Sequence, residues 1–301
     1  MIRECVKRKF IITSFTLIVF LLTLSFPKTE KIISSPTISY YQDNKFPIYL
    51  LNKENFVVRT SLAIRSNNSL DIAKEIIETL TLHSPKSAYI PSLFEPVLPK
   101  GTKVLSIDIQ DNILKINFNN TFLNIPEDNQ EQVLESLIYS LTEIESISGI
   151  MLFVESELFT HFPNQEKKYP TILTRDIGIN KKYELESFKN VTKTTTYYVA
   201  KDDDVSYYVP VTLLSNDSKN KIEIVIERLK SSPYQNTNLI SYLNASTELS
   251  RYEILESQVL LSFSNLLYEG MNADEMIEVV KHAIALSIKD TLDVEEVIFL
   301  N

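Results

Sequence analysis

The residues able to do chemistry are few and scattered. The chain has three histidines, His83, His161 and His282, one cysteine, Cys5, and four glycines, Gly101, Gly149, Gly178 and Gly270. A zinc site needs His and Cys ligands at close spacing. No histidine has a second one at such spacing and no cysteine lies beyond the N-terminus, so a ligand set is missing. His282 reads as a mid-helix residue and His83 as one just past a helix end, with structural or surface roles. The glycines are not clustered, which excludes glycine-rich phosphate loops and nucleophile elbows. Gly101 reads as a turn residue.

Acidic residues offer two further arrangements. Asp202-Asp203-Asp204 presents the oxygen ligands that a hard cation such as calcium takes. The corresponding earlier segment, Asn52 to Asn55, is neither triply acidic nor spaced for coordination, so the run reads as a solvated hairpin turn. Glu253 with Glu256 could do acid–base work, but both fall beside or at a hairpin, and nothing in the sequence suggests that they are buried. The absence of Trp and the scarcity of Gly argue against a carbohydrate-processing groove. The expectation is a protein that is not an enzyme and holds no cofactor or metal.

Charge and length narrow the class. Residues 1–9 carry Arg3, Lys7, Arg8 and Lys9 against Glu4, a net +3, which leaves −12 of the total of −9 for the rest. So acidic a body repels phosphate backbones, and nucleic acid is not an expected partner. One cysteine allows no intrachain disulfide. With 301 residues and 44% hydrophobic content, the chain can build two globular domains.

The elements begin with an apolar run. Phe10 to Phe26 is uncharged, and Phe10, Ile11, Ile12, Phe15, Leu17, Ile18, Val19, Phe20, Leu21, Leu22, Leu24 and Phe26 make it a transmembrane anchor candidate. As a helix it spans roughly 25 Å, with Lys9 and Lys28 able to snorkel to the two interfaces. Residues 1–9, basic, are expected in the cytoplasm and everything after the anchor outside it. A cleaved signal peptide is the competing reading, but Leu24-Ser25-Phe26-Pro27 lacks small residues at the cleavage site. No cysteine follows the run, so lipid attachment at such a site is excluded. Residues 27–45 read as a spacer.

The chain then repeats itself. Ile48 to Lys53 resembles Tyr197 to Asp202 at an offset of 149, and Ser66-Asn67-Asn68-Ser69 meets Ser215-Asn216-Asp217-Ser218. Ala73, Ile76, Ile77 and Leu80 meet Ile222, Val225, Ile226 and Leu229 in the same register. After a connection four residues shorter in the second copy, Leu98, Thr102, Leu114, Ile116 and Phe118 meet Leu243, Thr247, Val259, Leu261 and Phe263 at 145. Ile147, Ile150 and Met151 match Val294, Val297 and Ile298 at 147. The matched positions Ile76, Val225, Phe118 and Phe263 are expected to be buried.

Periodicity assigns each copy the order β-β-α-β-β-α-β, helices packed on a mainly antiparallel sheet, in the α+β class. The hairpins fall at 47–52 with 56–65, 102–109 with 112–119, and 247–255 with 258–264. Long helices follow at about 128–144 and 272–288, and closing strands at 150–154 and 296–300. Ser69 and Ser218 are placed to cap the first helix of each copy, and Asn272 with Glu275 reads as a capping-box variant. The expected domains are 46–155 and 195–301. The linker between them, 156–194, contains Tyr169-Pro170-Thr171-Ile172-Leu173, too apolar for a flexible tether, so part of it should pack against a domain.

Leu98-Pro99-Lys100-Gly101-Thr102-Lys103-Val104, then Asn112 to Phe118, the helix Glu131 to Glu143 and Ile147 to Val154 together resemble the GerMN domain. That domain occurs as a tandem pair in the GerM family of sporulation and spore germination proteins. Arg175-Asp176-Ile177-Gly178-Ile179-Asn180 is similar to the stretch between such domains. The resemblance spans about residue 46 to the end and makes Leu98, Pro99, Gly101 and Thr102 family-motif structural residues. It implies a non-enzymatic extracytoplasmic protein of the spore envelope, acting by protein–protein assembly with channel proteins or with itself. The GerMN domain is also similar to ring-building α/β modules of secretion systems. Two features depart from the family. Its well-known members are lipoproteins, and the second copy has Asn244-Ala245-Ser246-Thr247 where the first has Pro-x-Gly-Thr. The rival expectation is an extracytoplasmic sensor of a wall fragment or small molecule, which would need a concave pocket.

Overall fold

Asn52 starts the architecture by turning the first hairpin. Its Oδ1 accepts from the backbone N–H groups of Glu54 and Phe56 at 3.1 and 2.8 Å, and Asn55 adopts φ +64°. Strands β1 (Lys45–Asn52) and β2 (Val57–Ala63) pair antiparallel on either side of it. The computed structural model describes residues 45–163, 165–202, 205–234, 238–264, 267–270 and 272–300. The expected membrane segment 10–26 lies outside the described residues, as do Asp203 and Asp204. Among the described residues no helix is long and apolar enough to cross a membrane.

The remaining elements follow in the expected order with small additions. Helix α1 (Ser69–Thr79) and the short strand β3 (Phe94–Glu95) lead to the hairpin β4 (Val104–Gln110) and β5 (Ile113–Phe118). Helix α2 (Gln130–Leu141), β6 (Gly149–Val154) and β7 (Glu157–Leu158) complete the first copy. Strand β8 (Lys182–Glu184) belongs to the linker. The second copy runs through β9 (Thr192–Asp202), β10 (Val205–Ser215), α3 (Lys221–Arg228), β11 (Leu239–Ile240), β12 (Leu249–Leu255), β13 (Gln258–Phe263), α4 (Ala273–Leu292) and β14 (Glu296–Leu300).

The copies keep their register down to single hydrogen bonds. Leu80 N–H caps α1 on Ile76 O at 2.8 Å, and Leu229 N–H caps α3 on Val225 O at 3.0 Å. A β-bulge falls between Val104 and Ser106 in one copy and Leu249 and Arg251 in the other. Ala73, Ile76, Ile77, Leu80, Ile222, Val225, Ile226 and Leu229 are all buried, giving both short helices one core-facing stripe. Phe118 is also buried and stacks on Phe122, whereas Phe263, stacked on Phe299, is only partly buried.

Three details differ from expectation. The caps of α1 and α3 are Asn68 and Asn220, whose amide oxygens accept from Asp71 N and Ile222 N, both at 2.9 Å. Ser69 is already helical and its hydroxyl accepts from Ser146 Oγ, while α3 begins three residues after Ser218. Asn272 precedes α4 in a left-handed conformation (φ +57°) that makes no side-chain capping bond.

Each copy is also divided between sheets. The first hairpins merge into one sheet of order β11-β9-β10-β2-β1-β3, with β8 added parallel to β10. The second hairpins build two outer sheets, β4-β5-β6-β7 and β12-β13-β14. Here the closing strands β6 and β14 run parallel to β5 and β13, because a helix crossover returns the chain in the same direction. Strand β2 meets β10 antiparallel with Arg59 opposite Tyr208, two residues equated by the offset of 149. The contact between the copies therefore has the symmetry of a two-fold axis.

Candidate functional site at the joint between the copies

Among the described residues, the joint gathers several buried charged groups. Helix α2 and helix α4 lie along β1 and β9 and satisfy their backbones through hydroxyls. Tyr49 N–H donates to Ser140 Oγ (2.9 Å), and Tyr197 N–H donates to Ser287 Oγ (2.8 Å). Thus Tyr49 plays the part of Tyr197, one residue away from the Tyr198 that the 149 offset would assign. One turn beyond each serine is an acid, Glu143 or Asp290, and their offset of 147 matches that of the closing strands. Tyr49 Oη donates to Glu143 Oε1 at 3.0 Å, Tyr197 Oη donates to Asp290, and the two phenol oxygens lie 2.9 Å apart.

A single linker residue breaks this symmetry. Arg175 donates through Nη2 to Glu143 Oε1 at 2.8 Å and through Nη1 to Asp290, so one guanidinium bridges the two equivalent acids. Its Nε donates to Thr142 Oγ1 at 2.8 Å, and its plane lies 4.9 Å from the centre of the Tyr139 ring. Arg59 adds a second cation, 3.6 Å from Glu143. Two cations and two anions leave the network neutral. Arg is suited to this task, since its planar fork serves several acceptors at once.

The residues after Arg175 sew the sheets together. Gly178 turns with φ +77°, and a Cβ there would come within 3.0 Å of the Thr212 methyl. Ile179 is buried and exchanges bonds with Thr212, N–H to Oγ1 at 2.9 Å and O from N–H at 2.8 Å. Asn180 Oδ1 accepts from Val57 N–H at 2.9 Å, while its Nδ2 donates to Val57 O and Pro210 O, each at 2.7 Å. One side chain thus ties β2 to β10. Its backbone N–H donates to Glu135, which is also paired with Lys181. The linker packs as expected and is a structural element of the joint.

Environment sets the protonation states. Burial pushes the Glu143 carboxyl up, but Arg175, Arg59 and the Tyr49 hydroxyl more than offset it and hold the group below the usual carboxylate range. Burial and the nearby acids push the phenols of Tyr49 and Tyr197 up. Burial raises Glu135 despite Lys181. His282, on α4 with its ring 5.2 Å from that of Tyr208, is pushed down to about 4, by burial first and then by Arg59 and Lys289, against Glu143. The two carboxylates accept from several donors, and the buried phenols stay protonated.

This arrangement makes stability depend on pH. The unfolded chain takes up the His282 proton near the ordinary value of 6.5, the folded one only near 4, so falling pH favours unfolding across that window. Glu143, held low in the fold, adds a further loss as pH drops through the carboxylate range. Denaturant unfolding at pH 7 and pH 4 should show that His282→Gln removes on the order of 2 kcal/mol of the wild-type acid loss. An unchanged pH dependence in the variant would contradict the assignment.

The other sequence-predicted residues take separate places. Leu98 is buried and exchanges backbone bonds with Leu80 and Leu82, Pro99 O accepts from Thr102 N–H at 3.1 Å, and Gly101 turns at φ +88°. The motif fastens the end of α1 to the second hairpin. In the second copy Thr247 N–H donates to Asn244 O at 3.0 Å, and the Asn244 side chain accepts from Ser246 N–H, so an Asx turn replaces proline and glycine. Glu253 and Glu256 are exposed around a hairpin turn, and His83 sits after α1 at φ +59°. Among the described residues no group of three His, Cys, Asp or Glu is arranged to hold a metal ion.

Fold and joint together define a tandem pair of α+β domains fused through a shared sheet. The family described as "Germane: Sporulation and spore germination" matches residues 40–158. The spore germination protein GerM of Bacillus subtilis (strain 168) is 29% identical over 251 residues, 81% of this chain and 67% of that protein. The solved tandem GerMN domains of the sporulation protein GerM from Bacillus subtilis align with a TM-score of 0.74 and 25% identity, covering 85% of this chain and 89% of that one. The first copy thus matches that family, and over most of its length the chain is similar to GerM and its tandem GerMN domains.

Proposed function

We propose that this protein is a membrane-anchored, non-enzymatic component of the spore envelope, its body outside the cytoplasm, that works by assembling with other envelope proteins. The observation that carries this reading is the joint itself. Glu143, Asp290, Arg175, Tyr49 and Tyr197 are engaged in holding the two copies together, which favours surfaces as the means of action. The sensor reading is less well served. Recesses of about 10 and 50 Å³ beside Tyr197 and Tyr198 are far below the roughly 300–1,000 Å³ of a ligand pocket. A third concavity, of about 530 Å³, is an open groove lined by such groups as Glu186, Lys189 and Asp217. Its polar lining suits solvent better than a small apolar ligand.

Anchoring through residues 10–26 rests on the uncharged run and the basic flank before it. A reporter enzyme that is active only outside the cytoplasm, fused after residue 45, should be active. Activity of a reporter that works only in the cytoplasm, at the same position, would reverse the topology.

A further inference from the structure

Sheet edges expose unpaired backbone groups, and folded proteins shorten, bulge, charge or cover them. Among the described residues the edges of this chain are treated in those ways, with one exception. On β1, Tyr49 N–H and O are taken by Ser140 and Ser136, and on β9, Thr195 N–H and O are taken by Thr291 Oγ1. Strands β3, β7 and β11 have two residues each and β8 has three. Strands β4 and β12 are bulged and carry Asp108, or Arg251 and Glu253, in mid-strand. Strand β6 is covered by β7 and by Leu173, which exchanges bonds of 2.8 and 2.9 Å with Ile150.

The exception is β14, the counterpart of β6. It pairs with β13 on one side, has no bulge, and after Glu296 is apolar throughout: Val297, Ile298, Phe299 and Leu300. Val297 and Phe299 pack on the second core, Ile298 lies on the opposite face, and Leu300 is 44% exposed. We propose that the outer edge of β14 pairs antiparallel with β14 of a second copy of this chain, fusing two three-stranded sheets into one of six strands. This deepens the assembly reading by naming one of its contacts.

The strand suits itself as partner. Its acids, Glu295 and Glu296, lie at one end only. Antiparallel pairing centred on Ile298 sets Glu296 opposite Leu300 and Val297 opposite Phe299, keeping the acids of the two copies apart. Parallel pairing would stack Glu296 on Glu296, which is unfavourable. In the ladder Leu260 stands beside Ile298, so on one face the antiparallel arrangement gives a row Leu260–Ile298–Ile298–Leu260 across the two copies. On the other face Val297 and Phe299 extend each core toward the other. Main-chain bonds then supply the affinity and these rows the register.

Cysteine crosslinking in the full chain tests both contact and register. In a Cys5→Ser background, Ile298→Cys places two thiols opposite each other, with Cα atoms about 4.5–5.5 Å apart, within disulfide reach. Mild oxidation should give a dimer several-fold more abundant than with Glu296→Cys. Ile298→Lys should abolish self-association in sedimentation while leaving the circular dichroism unchanged, whereas Ile254→Lys, at a more exposed position on bulged β12, should leave self-association intact. Equal crosslinking at 296 and 298 would overturn the proposal. So would a monomeric wild-type chain that still crosslinks to other envelope proteins, an outcome that would leave the assembly reading standing.

Discussion

Arg175→Met should cost about 3–5 kcal/mol of stability, because it strands Glu143 and Asp290 without the cation between them. Asp290 is only 4% exposed, so water cannot take over that role. Arg175→Lys should recover little, since an ammonium cannot reproduce the fork that serves Glu143, Asp290 and Thr142 together. Adding Glu143→Gln and Asp290→Asn to Arg175→Met should restore much of the loss by removing the uncompensated charges. Denaturant unfolding of the three variants beside the wild type checks this. If the single and triple variants are equally unstable, the penalty comes from lost packing and the electrostatic account fails.

Ile76→Ala should lower stability by about 2–5 kcal/mol, the range for truncating a fully buried aliphatic side chain. Val225→Ala, at the matching place in the second copy, should lower it somewhat less, since fewer methyl groups are removed. The form of the transition is the sharper readout. A shared sheet and an interleaved linker couple the copies, so either variant should move one cooperative transition. Splitting into two transitions, one per copy, would show that the joint does not couple them.

Much of this fold was legible along the chain. Core stripes and hairpin alternation are local, and matching them at offsets of 149, 145 and 147 placed Ile76 with Val225 and Phe118 with Phe263. Local cues also misled where two capping residues adjoin: Asn68 and Ser69 are both competent, and boundaries are the least secure part of such readings. The parallel closure of β6 was implicit in the order strand, helix, strand, which allows a crossover. The division into shared and outer sheets was not legible, since it depends on how separate hairpins meet.

The joint was half legible. Glu143 and Asp290 lie at the same offset as their closing strands, and acid on acid at equivalent positions was a signal that periodicity passes over. Arg175 and Asn180 stood out only through resemblance, because a residue that bridges two copies has no repeat of its own. Tyr49 and Tyr197 were hidden by a slip of one residue between β1 and β9.

We propose that this protein acts through its surfaces as one joined body, without turnover. This proposal is tested most directly by complementation in a sporulating host, with single conservative changes at the titratable groups of the joint: Tyr49→Phe, Glu143→Gln and His282→Gln. For each variant, folded amount, crosslinked complex and spore germination would be measured together. Germination should follow the amount of folded, assembled protein and be normal wherever that amount is normal. A variant that folds and assembles like the wild type yet fails to support germination would contradict it, and would point to chemistry performed at the joint.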